Sequence, residues 1–543
     1  MPANTLFYAH WRGMASVTSA QKTNHVVQLF EDPQFAFGRD ALLKHLHDDI
    51  AKNGSTTPEP ELSEVLSLLD NPAVFGIVLN PDAGKKPAVG LAAVPPVGFF
   101  VVYDARGKTA LVEKLRAARR ASAKDTPTIM SYEFEGTKIE ARTAGKNVSY
   151  AALTPQYYFL ADQKPMIEDL IARFTAAEKP ATSVTELAEY QSIRAFVAPD
   201  ATVEFFARVP NLAKALSPEQ LEKPGAKFAE NLHLDRIHAL GGSVSFAGEA
   251  ARFRGAMLGD NSAGTLFDIA GASGPSFVTL PAVSPGPIFS ISRFNFATIY
   301  QLLRAAAVPM TTPAQAASID MYEKTAQAFL GMPLADALQL FTGEIASETA
   351  FADDGSTLKT FAVSIQKRQD VLRILRSVGG SFIVGEDTSG DTTFLDLVYP
   401  YTDPKTGEKR RDFYYLAVTP DMLFAAPRKA AVRQAMTRLS SKSGAKPASG
   451  PLANPDYSQV RSLLPEKLSG LSAFDFADIP WDKVLAHFSQ QMAEAAKNST
   501  TKNPPSTEWS QAIKPEVLTH HLHIGISGWW KDSNGIYFDS YLQ

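Results

Sequence analysis

The sequence predicts an α+β protein made of two copies of one unit, each copy an antiparallel sheet covered by helices. Three observations predict it. The segment YAALTPQYYFLADQKPMIEDLIAR (150–173) aligns without gaps on YLAVTPDMLFAAPRKAAVRQAMTR (415–438), keeping Tyr150/Tyr415, Ala152/Ala417, Thr154/Thr419, Pro155/Pro420, Phe159/Phe424, Ala161/Ala426, Lys164/Lys429 and Arg173/Arg438 identical. Two further matches follow in the same order, YQSIRAFVAP (190–199) with YSQVRSLLP (457–465) and FARVP (206–210) with FADIP (476–480). Self-similarity in a fixed order is the mark of repeated structural units. Finally, short alternating strands are joined by Gly, Asp and Pro turns, with helices interspersed rather than strictly alternating, which favours antiparallel pairing.

Taken along the chain, each copy reads in the same way. The first opens on the strand-like LFYAHW after Met1-Pro2-Ala3-Asn4-Thr5. LSEVLSLL (62–69) then corresponds to LADALQLF (334–341), and both copies carry a strand followed by a helix ending in Leu-Arg, at Leu115-Arg116 and Leu375-Arg376. The matched segment supplies a strand, a tight Thr-Pro turn, a second strand and an amphipathic helix. Proline presets the turn dihedral, and Ile167, Leu170, Ile171 and Phe174 recur at helical spacing. A short helix and a strand follow, ending on a proline that can open another helix because its missing N–H costs nothing there. A hairpin closes each copy, at 240–258 and 522–541. The expected domains are 1–283 and 284–543, divided within the Gly/Pro-rich SGPSFVTLPAVSPGP (273–287). SSKSGAKPASG (440–450) and KNSTTKNPPSTE (497–508) are expected to be exposed loops.

Composition narrows the partners. The chain has 543 residues, 45% of them hydrophobic and 20% charged, which suits folded domains and not a disordered chain. A net charge of −4 argues against a protein built to hold phosphate backbones, so nucleic acid is not expected. The absence of cysteine excludes disulfides, thiolate metal sites and cysteine nucleophiles. The most apolar stretch, VGLAAVPPVGFFVVY (89–103), is shorter than the roughly 20 residues of a membrane helix and is interrupted by Pro95 and Pro96, so no transmembrane segment is expected. No basic and apolar leader follows Met1; a cytoplasmic location is one expectation, and a leader removed ahead of Met1 is the other.

The order of hairpin strand, FLAD, amphipathic helix and LAEYQSIRAFVAPDATVEFFARV (159–209) resembles the bacterial family catalogued as domain of unknown function 3352. That resemblance implies a repeated unit carried behind a signal peptide or membrane anchor, hence a periplasmic or cell-envelope location. It implies no catalytic motif.

Candidate chemistry is sparse. Gly107-Lys108-Thr109 ends like a phosphate-binding loop, but Val102 stands where its first glycine is required, and a turn opening a helix is expected instead. Ser364/Lys367, Ser389/Asp391 and Lys405-Thr406-Gly407 follow the order of serine penicillin-recognising enzymes, yet Ser364 falls in an expected strand. His45 and His47 sit two apart in a helical pattern, pointing apart. His521 and His523 sit two apart in an expected strand, where they would share a face without an identifiable third ligand. Asp353-Asp354-Gly355 and the acidic stretch 386–391 lack the spacing of a calcium loop. No cofactor is expected. The surface feature common to both copies is a basic helix, carrying Lys108, Arg116, Arg119 and Arg120 in the first and Arg373 and Arg376 in the second, with Leu111, Val112 and Leu115 as its docking stripe. These six residues are the expected contacts for an anionic partner or lipid headgroup. The expected function is a non-catalytic envelope, scaffold or binding protein for a protein, glycan or lipid. The alternatives are a hydrolase with a dispersed site and an apolar-ligand carrier.

Overall fold

The computed structural model describes residues 1–18, 23–36, 64, 66–79, 97–121, 128–144, 147–175, 183–209, 230–246, 248–260, 264–402, 409–440, 449–498 and 513–543. Helices and antiparallel sheet make it an α+β protein. Two compact units divide it. The first holds the described residues up to 209 with 235–259 and 513; the second holds 230–234, 260–498 and 514–543.

The first unit contains β1 (Thr5–Trp11), β2 (Ala73–Leu79), β3 (Val97–Asp104), β4 (Thr128–Phe134), β5 (Thr137–Ala144), β6 (Asn147–Leu153), β7 (Tyr157–Ala161), β8 (Val203–Arg208), β9 (Ile237–Ser245) and β10 (Ala251–Gly259). All their pairings are antiparallel, in the order β4-β5-β6-β7-β3-β2-β1-β8-β9-β10. The alternation in TLFYAHW buries Leu6 and Tyr8 on one face, as a period of two requires. The helix Lys164–Thr175 lays Met166, Ile167, Leu170 and Ile171 onto Phe100, Phe159 and Ile139 from the sheet, one apolar core. Each such side chain contributes about 1.5–3 kcal/mol when fully buried.

The second unit contains β11 (Ile288–Arg293), β12 (Phe341–Phe351), β13 (Thr357–Ile365), β14 (Ile383–Ser389), β15 (Thr392–Thr402), β16 (Lys409–Val418), β17 (Met422–Ala426), β18 (Gly470–Asp475), β19 (Ile524–Lys531) and β20 (Gly535–Leu542). Its order is β14-β15-β16-β17-β13-β12-β11-β18-β19-β20, again antiparallel throughout. Strand for strand, this is the order of the first unit. The helix Arg368–Gly379 buries Val371, Leu372 and Ile374 against Ile365 and Val418.

The Thr-Pro turns occupy the same place in both units. Between β6 and β7, Thr154 N–H donates to the Tyr157 carbonyl (2.8 Å) and Tyr157 N–H donates to Thr154 Oγ1 (2.9 Å). Between β16 and β17, Thr419 and Met422 make the same two bonds, at 2.9 and 3.0 Å. The hairpin registers agree too: Tyr150 faces Ala161 and Ala152 faces Phe159, as Tyr415 faces Ala426 and Ala417 faces Phe424. The closing hairpins are β9–β10 and β19–β20.

Three expectations need correction or limit. The division between the units falls at Gly259/Asp260, ahead of 273–287. That stretch is no linker: Gly274 bridges Leu468, Leu280–Val283 forms a helical turn, and Ala282 and Val283 are fully buried, so its apolar residues outweigh its Gly and Pro content. The stretch 499–512 and most of 440–450 lie outside the described residues, and Trp481–Asn498 is helical to its end. His521 ends the helix Pro515–His521 while His523 precedes β19, so the pair does not line one strand face. Pro515 at the first helical position accounts for this, since it opens a helix through the histidines.

Candidate functional site

Of the basic residues singled out by sequence, the four whose side chains are described, Lys108, Arg116, Arg373 and Arg376, all meet carboxylates. The helix Thr109–Ala121 docks Val112 against Tyr103 and Ala105 in the first unit, with Gly107 in a left-handed turn before it. Lys108 Nζ sits 2.9 Å from Asp70. Arg116 was expected in water, yet its side chain is 11% exposed; it bridges Glu113 (2.6 Å) and Glu140 (2.8 Å) and lies over the Tyr158 ring. The aromatic and carboxylate neighbours come from sheet strands, which the helical pattern could not reveal. In the second unit Arg373 pairs with Asp370 (2.9 Å) and Arg376 with Glu386 (2.6 Å). The side chains of Arg119 and Arg120 lie outside the described residues. The exposed pairs of Arg373 and Arg376 are worth little in stability, but each of these two charges is balanced by a carboxylate.

The remaining motifs are dispersed. Ser364 lies in β13 and donates to the Glu344 carbonyl (3.3 Å), while Ser389 ends β14; Lys405, Thr406 and Gly407 lie outside the described residues, as do His45 and His47. His523 approaches Asp456 at 3.5 Å. Asp354 accepts from Ser356 N–H and Oγ, an ordinary acidic turn. No cluster of three metal-ligating side chains occurs among the described residues.

Perturbed ionisation marks one cluster in the first unit. Glu204 is buried on β8, beside Arg194 (2.8 Å), the Tyr8 hydroxyl (3.2 Å) and His10 (3.7 Å). Burial pushes its carboxyl up, and His10, Arg194 and Tyr8 outweigh that, holding it below the usual range. Burial first, then Tyr190 and Glu204, push the Tyr8 hydroxyl well above its ordinary value. A carboxylate so fully committed to cations and a hydroxyl is a structural ion cluster. In the second unit an open groove of about 540 Å³ lies at the strand ends, lined by Lys467, Lys531, Asp268, Asp532, Ser273 and Asn295 among others. Its charges are of both signs.

Among the described residues, one feature that differs between the two units is a hairpin. Ala144 faces Asn147 across β5–β6, leaving residues 145–146 between them. At the matching place in β15–β16, Tyr399 faces Asp412, leaving residues 400–411 between them. The match is fixed by register, since Tyr150 faces Ala141 as Tyr415 faces Asp396. The neighbouring strand β14 pairs with β15 only as far as Leu397, so 398–402 and 409–413 run on as a two-stranded ribbon. At about 3.4 Å per residue that ribbon is roughly 15 Å long. Exposed aromatics stand at its base: Tyr399, whose ring centroid is 5.4 Å from that of Phe382, is 55% exposed, Phe413 49% and Tyr414, the next residue along, 47%. The cross-strand pairs put Tyr399 and Tyr414 on one face, and Phe413, Arg411 and Lys409 on the other. Lys409 and Arg411 are exposed and have no carboxylate partner among the described residues. Reading single copies missed this ribbon. Continuing the gap-free alignment N-terminally past Tyr150/Tyr415 would have exposed the insertion.

No family model and no curated protein matches the chain. The resemblance to domain of unknown function 3352 therefore rests on the quoted residues. A solved structure, crystal form IV of TP0453, is similar to 48% of this chain and 80% of its own at 8% identity, with a TM-score of 0.23. That likeness is too slight to carry an argument.

Proposed function

We propose that this chain is a non-catalytic binding protein of the bacterial cell envelope, built from two copies of one ten-strand unit. In this reading the second copy carries the contact surface. The observation that carries it is the β15–β16 hairpin, where twelve residues, 400–411, stand in place of the two between β5 and β6, with the exposed cations Lys409 and Arg411 among them and exposed Tyr399, Phe413 and Tyr414 beside them. Large exposed aromatics cost solubility unless something covers them, and extended hairpins are where folds carry recognition. The shared strand order and the matched Thr-Pro hairpins support duplication. The family resemblance supports the envelope location.

The test is site-specific photo-cross-linking in the producing cells, with the photoreactive residue at Phe413 or Tyr399 and, as control, at exposed Tyr322 in the same unit. Adducts concentrated at 413 and 399 are expected. Equal yields at 322 would remove the hairpin as the contact surface.

A further inference from the structure

We infer that one face of the β15–β16 hairpin, continued by the helix Lys429–Ser440, holds an acidic polysaccharide chain; this rests on the reading of the hairpin as the contact surface. Along β16, Lys409, Arg411, Phe413 and Tyr415 fall on one face, because strand side chains alternate with a period of two. Thr402 and Asp396, opposite the two ends of that row, share the face. At about 3.4 Å per residue the row is roughly 20 Å long. The helix extends it. Lys429 Nζ lies 6.0 Å from the centre of the Tyr415 ring, and the Arg433 guanidinium lies 5.9 Å from that of Phe394. Lys409, Arg411 and Arg433 are exposed and meet no carboxylate among the described residues. Two carboxylates stand on this face: Asp396, which Lys429 neutralises at 3.2 Å, and Asp387, opposite Phe394 on β14.

The matched face of the first unit is not basic. Tyr150 stands for Tyr415 and Lys164 for Lys429, but Glu168 stands for Arg433, Asp169 for Gln434 and Gln163 for Arg428. Lys164 lies 3.8 Å from Glu168, one turn on, so its charge is balanced within the helix, and β6 carries no lysine or arginine. The shared fold does not need the second unit's charge, so that charge belongs to this copy's own contact. Uncommitted cations in a row call for a partner with repeated anionic groups. The polar groups that remain on the face are the hydroxyls of Thr402 and Tyr415, which donate and accept as sugar hydroxyls do. Phe413, 49% exposed, offers one ring for stacking, whereas single-stranded nucleic acid uses aromatic platforms for successive bases. A bilayer calls for an apolar face to insert, and here cations stand on either side of the rings.

The experiment is fluorescence anisotropy of a labelled oligogalacturonate with the full chain, with a dextran oligomer and oligothymidylate as competitors, and co-sedimentation with vesicles containing phosphatidylglycerol. The chain is expected to bind oligogalacturonate, to release it as salt rises, and to bind each other probe at least about tenfold more weakly. Arg411→Glu with Arg433→Glu should lose about tenfold or more, and Phe413→Ser should give a smaller loss that salt does not change. Lys324→Glu with Lys467→Glu makes the same charge change at exposed positions elsewhere in the second unit and should bind like the parent. The replaced side chains are exposed, so the melting temperatures should match; should the arginine reversal melt lower, Arg411→Gln with Arg433→Gln replaces it and should still lose binding. The inference is overturned if the parent does not bind oligogalacturonate, if another probe binds as tightly, or if the lysine pair loses as much as the arginine pair. Protein adducts at 413 without oligogalacturonate binding would overturn the polysaccharide and leave the contact surface standing.

Discussion

Arg438 is identical to Arg173 in the sequence match, yet the structure gives it a far heavier task. In the second unit its Nη2 donates to Glu348 (2.7 Å) and to the Ala282 carbonyl (2.7 Å). Glu348 is buried on β12. Burial raises its carboxyl pKa above the ordinary value, and Arg438 opposes that rise through charge and hydrogen bonding. Arg438→Met leaves the carboxylate buried without its cation, which costs about 3–5 kcal/mol near neutral pH. The sign of the pH dependence follows. A carboxyl whose folded pKa lies above its unfolded value binds more protons in the folded state, so stability falls as pH rises through that window. Losing Arg438 raises the folded pKa further and widens the window. The loss in Arg438→Met should therefore be largest at pH 7.5 and shrink towards pH 5, read from urea midpoints at both values. Adding Glu348→Gln to the variant should restore most of the stability at pH 7.5. An equal loss at the two pH values, or no recovery in the double variant, would refute the reasoning.

Three further outcomes follow from named contacts. Gly470 faces Trp529 across β18–β19, and a Cβ there would meet the indole nitrogen at 1.8 Å, so Gly470→Ala should cost about 1–3 kcal/mol; an unchanged melting temperature would show that the ring moves freely. Arg116→Glu should destabilise by roughly 1–3 kcal/mol, because it sets a half-buried negative charge between Glu113 and Glu140; a neutral effect would return this helix to a merely solvated face. A strong chelator should leave the melting curve unchanged, and a fall of several degrees would point first to His521 and His523.

Much of the fold is written locally. The Thr-Pro turns, the helix at 164–175 and the closing hairpins follow from turn chemistry and from apolar spacing, which act within a few residues. The boundary did not, because whether 273–287 is linker or core depends on Leu468 and the sheet it meets, far along the chain. The basic helices lie at Thr109–Ala121 and Arg368–Gly379, and the carboxylates that meet Arg116 and Arg376, Glu140 and Glu386, come from strands that helical periodicity cannot see. His521 and His523 were misplaced because Pro515 sets a helix across what alternation reads as strand. The ribbon was legible in principle. Its cations, Lys409 to Arg411, stand next to its aromatics, Phe413 to Tyr415, in the sequence, but their place at the end of the sheet follows only from β14 ending its pairing at Leu397.

The proposed contact lies on one surface of the second unit, and hydrogen exchange tests it directly. Amide exchange of the full chain should be followed with and without an envelope extract of the producing cells. Slowed exchange is expected in peptides covering β15 and β16 at 397–415, with no change in the matching β5–β6 peptides at 139–152. Protection absent from 397–415, or equal in the two hairpins, would contradict the proposal that the second unit's extended ribbon is where this protein makes contact.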